Sequence, residues 1–230
     1  MSSHVKIFQF DTDAFPFRRL MVELFGVEPL EDLHRAFPDE SVITELPDKY
    51  TDDTTFFHRR FYDRLELGWP EFETLYESFA RALGRRYFPD AAFLYQRWPT
   101  FRVQLPGSLA VGEFHRDRDY NHPHGEVNVT LPLTRAVDTS AIWIESEPGR
   151  GDYHPINLEY GEIAQFDGNN CVHGNKVNAT GQTRVSFDFR LLSMDDYQTA
   201  EPKRSLGAGL PFAIGGYFKQ ADPVVRTNDR

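Results

Sequence analysis

Hydrophobic and polar positions follow two rhythms along this chain, and the change falls near residue 100. In "WPEFETLYESFARALGRRYF" the apolar residues Phe72, Leu75, Tyr76, Phe79 and Leu83 recur at helical spacing. Pro70 suits the first helical position, where no backbone N–H is required. "DTTFFHRRFYDRLEL", from Asp53 to Leu67, predicts a second, less regular helix. "FPFRRLMVELFG" and "PLEDLHRAFP" predict short helices ended by Gly26 and Pro38. Their apolar stripes read as surfaces that face a core.

From Phe101 onward the pattern shortens. "FRVQLP", "SLAVGEFH", "EVNVTLPLT", "SAIWIES", "YHPINLE", "EIAQFDG", "NCVHGNKVN" and "TRVSFDFRLL" are rich in Val, Ile, Phe and Thr, and Gly, Pro, Asn and Asp punctuate them. "NATGQT" is a hairpin turn before the last run. Short strands at this spacing, with no helical pattern between them, predict an antiparallel barrel or jelly roll and argue against a parallel α/β sheet. After Leu192 the order weakens. "EPKRSLGAGLPFAIGGYFKQADP" mixes Gly and Pro with apolar residues that could pack on the barrel, cover its mouth or meet a second subunit. The expected fold class is mainly β with a helical N-terminal layer, the core being a double-stranded β-helix (jelly roll, cupin-like). It is read as a single domain, with residues 1–98 mostly helical, 99–192 the β core and 193–230 a C-terminal extension.

Composition narrows the class. The chain has 230 residues, enough to bury a sizeable core, and its 40% hydrophobic and 26% charged content is that of a soluble globular protein. No apolar run reaches the roughly 18 residues of a membrane span. The N-terminus lacks a basic stretch followed by an apolar one, so no secretory signal is expected. The single cysteine, Cys171, fits a reducing cytoplasm. A net charge of −10 disfavours nucleic acid as a partner. It is compatible with a cationic small molecule, although solubility explains it as well.

The candidate chemistry is concentrated in "GEFHRDRDYNHPHGEVNVTLPLT". His115 and Asp117 stand one residue apart at the end of the second predicted strand, where positions i and i+2 share a face. His173 lies on the seventh, which can neighbour the second in a jelly roll. Two imidazoles and one carboxylate on one side of an ion make a 2-His-1-carboxylate facial triad, whose open positions suit non-haem Fe(II) and O2. Arg184 and Ser186 share a face of the last strand. A guanidinium there can bind a carboxylate through two parallel hydrogen bonds and a serine hydroxyl can add a third. Such a pair could hold the distal carboxylate of 2-oxoglutarate while the keto-acid end chelates iron. An inward Arg184 on a strand otherwise reading Val185, Phe187 and Phe189 calls for a buried anion.

The pattern His-x-Asp, a distal His, then Arg-x-Ser resembles the Fe(II)/2-oxoglutarate-dependent dioxygenases and covers the chain from Phe101 to Leu192. Within them, "FHRDRDYNHPHGEVNVTLPLT", "AIWIESEPGRGDY" and "FDGNNCVHGNKVNATGQTRVSFDFR" are similar to the small group named for the streptomycin biosynthesis protein StrG. The resemblance implies that His115, Asp117 and His173 bind Fe(II), and that Arg184 with Ser186 anchors 2-oxoglutarate. It also implies that the enzyme hydroxylates, or otherwise oxidises, a C–H bond of a small polar molecule in antibiotic or sugar/amino-acid metabolism. Related halogenases carry Gly or Ala where Asp117 stands, so hydroxylation is expected over halogenation. The cupin pattern fails at His122, His124 and Glu126, where the interval to the Glu is wrong.

Other polar residues are assigned less directly. Glu126, Asn128 and Thr130 alternate on the third strand. If Val127, Val129 and Leu131 pack on the helices, the polar set faces inward and Asn128 or Thr130 could bond 2-oxoglutarate; alternation alone leaves the opposite assignment open. Arg102 and Gln104 raise the same question. Tyr120 lines a mouth loop and, with Arg102, Gln104 and Glu126, is a candidate substrate contact. Trp143 is read as a core residue, with a pocket wall as the alternative. His122 and His124 are read as loop residues, solvated or facing substrate. Two rival functions keep these ligands: a cupin-like isomerase or dioxygenase without 2-oxoglutarate, and a non-catalytic barrel that binds metal or keto acid.

Overall fold

The structure, a computed structural model, describes residues 4–40, 55–110, 113–206 and 209–223. Helices α1 (Phe17–Phe25), α2 (Leu33–Ala36), α3 (Phe56–Glu66) and α4 (Pro70–Tyr87) form one layer, each close to where its apolar periodicity places it. Gly26 ends α1 in the left-handed region at φ 70°, a conformation that costs glycine little. Thr55 caps α3 by accepting from the His58 N–H. Pro70 opens α4, which buries Phe72, Tyr76, Phe79 and Leu83.

The strands are β1 (Val5–Gln9), β2 (Phe93–Gln96), β3 (Thr100–Gln104), β4 (Val127–Pro132), β5 (Ile142–Ile144), β6 (His154–Ile156), β7 (Glu162–Phe166), β8 (His173–Gly174), β9 (Arg184–Ser193) and β10 (Phe218–Ala221). They make two sheets, and every pairing between them is antiparallel. The larger runs β1-β7-β4-β9-β2-β10, with β3 also on β9; the smaller runs β6-β5-β8. The long strand β9 is the centre of the larger sheet, because β4 pairs along one edge while β3 and β2 share the other.

Alternation on β9 and its neighbours divides that sheet into an apolar and a polar face. Val185, Phe187, Phe189 and Leu191, with Val129 and Leu131 of β4, join one hydrophobic core with the helices. Phe187 sits among the rings of Phe17, Phe61, Phe72 and Phe101, with centroids 5.4–5.9 Å away. Burial of that face turns Asn128, Thr130, Arg102, Gln104 and the even-numbered residues of β9 the other way. The open question about β4 is thereby settled: its polar set points inward. A smaller apolar cluster of Ile144, Ile156, Leu158, Ala164, Phe166 and Cys171 joins the two sheets.

The pattern misplaces several strands. "SLAVGEFH" forms no strand among its described residues; His115 makes only an isolated bridge to His173. β1, β2 and β10 lie outside the expected strands. β2 is four buried residues, a run too short to show a period. The C-terminal extension adds β10 to the sheet edge, where Phe212, Tyr217 and Phe218 pack on Leu94 and Leu192. Of its three open destinations, the described part takes the first. Among the described residues, no helix is long and apolar enough to cross a membrane.

Candidate metal centre

Three ligand atoms converge where the two sheets meet. His115 and His173 exchange both backbone hydrogen bonds, each 2.9 Å, which sets their imidazoles side by side with centroids 4.7 Å apart. Asp117 does not lie on a strand beside His115, as the i, i+2 argument requires. It opens a 3-10 turn (Asp117–Tyr120), and its backbone N–H is tied to the Gly168 carbonyl at 2.9 Å. The carboxylate still arrives: Asp117 Oδ1 is 3.4 Å from His115 Nε2 and 3.7 Å from His173 Nε2. One ligand atom from each residue lies within 4.8 Å of the others, a spacing that a single ion can bridge.

The remaining atoms prepare that set. His115 Nδ1 is 2.7 Å from the Glu113 carbonyl and His173 Nδ1 is 3.2 Å from the Cys171 carbonyl. Donation to these oxygens places the proton on Nδ1 and leaves the Nε2 lone pair for a metal. Burial pulls the His173 imidazole down to about 4 despite the opposing pull of Asp117, so it is neutral at neutral pH, as a ligand must be. Burial alone would raise the Asp117 carboxyl, but the Arg190 guanidinium overrides it and holds the carboxyl well below its ordinary value. Glu145, itself buried, accepts the Val172 N–H at 2.6 Å and fixes the backbone leading into His173.

Asp117 Oδ2 takes no part in the convergence. It accepts from Arg190 Nε at 3.0 Å, Arg190 Nη2 at 2.9 Å and Asn128 Nδ2 at 2.5 Å. Donation from Nδ2 orients the Asn128 amide, and its Oδ1 is buried with no hydrogen bond from any described residue. As an amide oxygen it can only accept, so it complements a donor group. Gly168 permits the crowding: a Cβ there would lie 2.8 Å from Asn128 Nδ2 and 2.9 Å from His173 Cε1. The donor set fits a divalent ion of the Fe(II) type, with two imidazole Nε2 atoms and one carboxylate oxygen facing one another.

A cavity of about 50 Å³ opens beside these atoms, lined among others by Arg102, His115, Asn128, His173, Asp188 and Arg190. Arg102 reaches across it to Asp188, with Nε 3.2 Å from Oδ2. Tyr120 sets its ring edge-on to His115 at 4.9 Å. Arg184 and Ser186 are not among the lining residues. They lie further along the polar face of β9, buried, with Arg184 Nη1 donating to Ser186 Oγ at 2.6 Å and Nε to Gln104 Oε1 at 3.4 Å. Thr130 is buried on the same face, opposite Asp188 in register, and also outside the cavity lining.

Several substrate candidates have other work. Gln104 is buried and donates to the Ser108 and Lys176 carbonyls, so it ties loops together. Glu126 is buried against His122 Nδ1 at 2.8 Å, and the His122 ring lies tilted against the Phe212 ring, centroids 4.7 Å apart, instead of meeting solvent. Trp143 is neither core nor cavity wall. Ile142 and Ile144 turn inward from β5, so Trp143 turns out, half-buried, with Lys176 Nζ 3.2 Å from its ring centre. His124 is exposed, and Arg116 pairs with Asp119 as a surface residue should. The sequence reading missed Arg190, although it continues the alternation of Arg184, Ser186 and Asp188. It missed Gly168, whose role exists only through its neighbours in space.

Fold and site together define a β-rich protein with a buried two-histidine, one-carboxylate centre between its sheets. No family model matches the sequence. The streptomycin biosynthesis protein StrG of Streptomyces griseus is 42% identical over 210 residues, which cover 91% of this chain and 95% of that protein. The chain therefore belongs to the StrG family. Among solved structures, the non-haem alpha-ketoglutarate-dependent carbocyclase SnoK from nogalamycin biosynthesis aligns with a TM-score of 0.52 at 12% identity, covering 83% of this chain and 79% of that one. EvdO2 from Micromonospora carbonacea var. aurantiaca aligns with a TM-score of 0.50 at 16% identity, covering 84% and 87%. At such identities the likeness extends to the fold alone.

Proposed function

We propose that this chain is an Fe(II)- and 2-oxoglutarate-dependent oxygenase that oxidises, most simply by hydroxylation, a C–H bond of a small polar molecule, and that its two sheets form a double-stranded β-helix. One observation carries the reading: both imidazole Nε2 atoms converge on Asp117 Oδ1 while other donors occupy Asp117 Oδ2. The relatives support it. SnoK is an alpha-ketoglutarate-dependent enzyme of this fold, and StrG belongs to antibiotic biosynthesis.

In this reading His115, Asp117 and His173 hold the metal. Fe(II), 2-oxoglutarate and O2 together supply the oxidising power, leaving succinate and CO2. Arg184 and Ser186 hold the distal carboxylate of the keto acid. On the same face, between Ser186 and Arg190, Asp188 pairs with Arg102, so a keto acid that extends from the metal to Arg184 passes this pair. Asn128 Oδ1, an acceptor, would take a hydrogen bond from a donor such as a metal-bound water or a substrate hydroxyl, since the keto acid has none to give. Phe166 and Ile142 supply apolar surface to the cavity wall.

The test needs no substrate. Fe(II) and then 2-oxoglutarate are added to the protein under nitrogen, and the visible difference spectrum is recorded with His173→Ala alongside. A weak charge-transfer band that requires both additions and is lost in His173→Ala is the expected result. Bound iron without a band would remove 2-oxoglutarate from the site and put the cupin-like reading in its place.

A further inference from the structure

We infer that Arg190 is a positioning residue that holds Asp117 in its ligating pose, and that the C-terminal segment braces it there through Tyr217. This rests on the metal-binding reading above. Arg190 is the last residue of the polar series on β9 before the strand turns apolar at Leu191 and Leu192. Two of its nitrogens close on one oxygen of Asp117, and Asn128 Nδ2 brings a third donor to that oxygen. An oxygen with three donors has no lone pair to spare for a metal, whereas Oδ1, facing the imidazoles, is left free. Arg190 thus decides which carboxylate oxygen ligates, and it prevents the carboxylate from chelating with both and filling a position the chemistry needs open.

The guanidinium is held in turn. Its Nη1 donates to Tyr217 Oη at 3.1 Å and approaches Gln96 Oε1 at 3.5 Å. Tyr217 donates to the same Gln96 oxygen at 3.0 Å. Glu126 Oε2 lies 3.6 Å from Arg190 Nε. Gln96 belongs to β2 and Tyr217 precedes β10, so the strand pair at the sheet edge sets the rotamer of the residue that sets the ligand. Partners that orient a ligating side chain typically govern metal affinity by about 10–100-fold. Direct charge repulsion between Arg190 and a bound cation acts in the opposite sense, so a loss of affinity on removing Arg190 is not the relief of that repulsion.

Co(II) is the probe, bound to the full chain and read by its visible absorption and by titration. Wild type, Arg190→Met, Arg190→Lys, Tyr217→Phe and His173→Ala are compared, with circular dichroism to verify folding. The expected result is Co(II) affinity lower by about 10–100-fold in Arg190→Met, partly restored in Arg190→Lys, and lower by a few-fold in Tyr217→Phe. The Co(II) absorption should change shape in each, which a merely structural role would not produce in folded protein. If Arg190→Met does not fold, Arg190→Lys and Tyr217→Phe decide. Wild-type affinity and spectrum in both, or tighter binding in Arg190→Met, overturns the positioning role while leaving the metal site intact. Wild-type protein that binds no Co(II), or binds it equally well as His173→Ala, removes the metal reading and this inference with it.

Discussion

Gly168→Ala is a one-carbon change that should damage the centre without replacing any of the three converging residues. The added methyl carbon would lie 2.8 Å from Asn128 Nδ2, 2.9 Å from His173 Cε1 and 3.0 Å from Asn128 Cγ. Ordinary carbon contacts are about 3.5 Å or longer, so these neighbours must retreat by roughly 0.6 Å. Neither is free to do so. Asn128 is bonded to Asp117 Oδ2, and His173 is pinned by the Cys171 carbonyl and by the backbone exchange with His115. Overpacking of this kind costs about 1–3 kcal/mol, against a gain of up to about 1 kcal/mol from the stiffer unfolded chain. Each kcal/mol of net loss lowers the melting temperature by about 2–4 °C for a chain of this size. Metal affinity should fall as well, by about 10–100-fold, because the displaced groups orient the ligating residues. Thermal unfolding of the apo protein and Co(II) titration measure the two effects separately. A variant with wild-type melting and wild-type affinity would refute the claim that Gly168 lets the ligand shell close.

Two further outcomes follow from the same geometry. Arg184→Ala should raise the 2-oxoglutarate concentration that half-saturates the charge-transfer band by roughly 10–100-fold, the loss of one or two charge-assisted hydrogen bonds, with Fe(II) binding retained; an unchanged titration would take Arg184 out of the cosubstrate site. Phe187→Ala, which opens a hole among four neighbouring aromatic rings, should cost about 3–5 kcal/mol in denaturant unfolding; a loss below about 1 kcal/mol would mean that β9 is not the keystone of the core.

Local chemistry along the chain was enough to determine the four N-terminal helices and to single out the three residues that converge. The stripe on α4 needs only a 3.6-residue period and a proline at its start, and both are local. His115, Asp117 and His173 stand out because their side-chain chemistry is scarce and their spacing unusual. How Asp117 reaches the imidazoles was not legible, because a 3-10 turn tied to the Gly168 carbonyl replaces the strand that alternation suggests. The facing of β4 depends on what covers it: Val129 and Leu131 meet helices far away in sequence, and only that burial sends Asn128 to the side of Asp117. Trp143 turns outward for the same kind of reason, since Ile142 and Ile144 take the inner positions. Arg190 looks like the end of an ordinary strand until tertiary structure sets Asp117, Asn128, Tyr217 and Gln96 around it. Periodicity records which residues share a face. Which face becomes a site is decided by the partner that buries the other one.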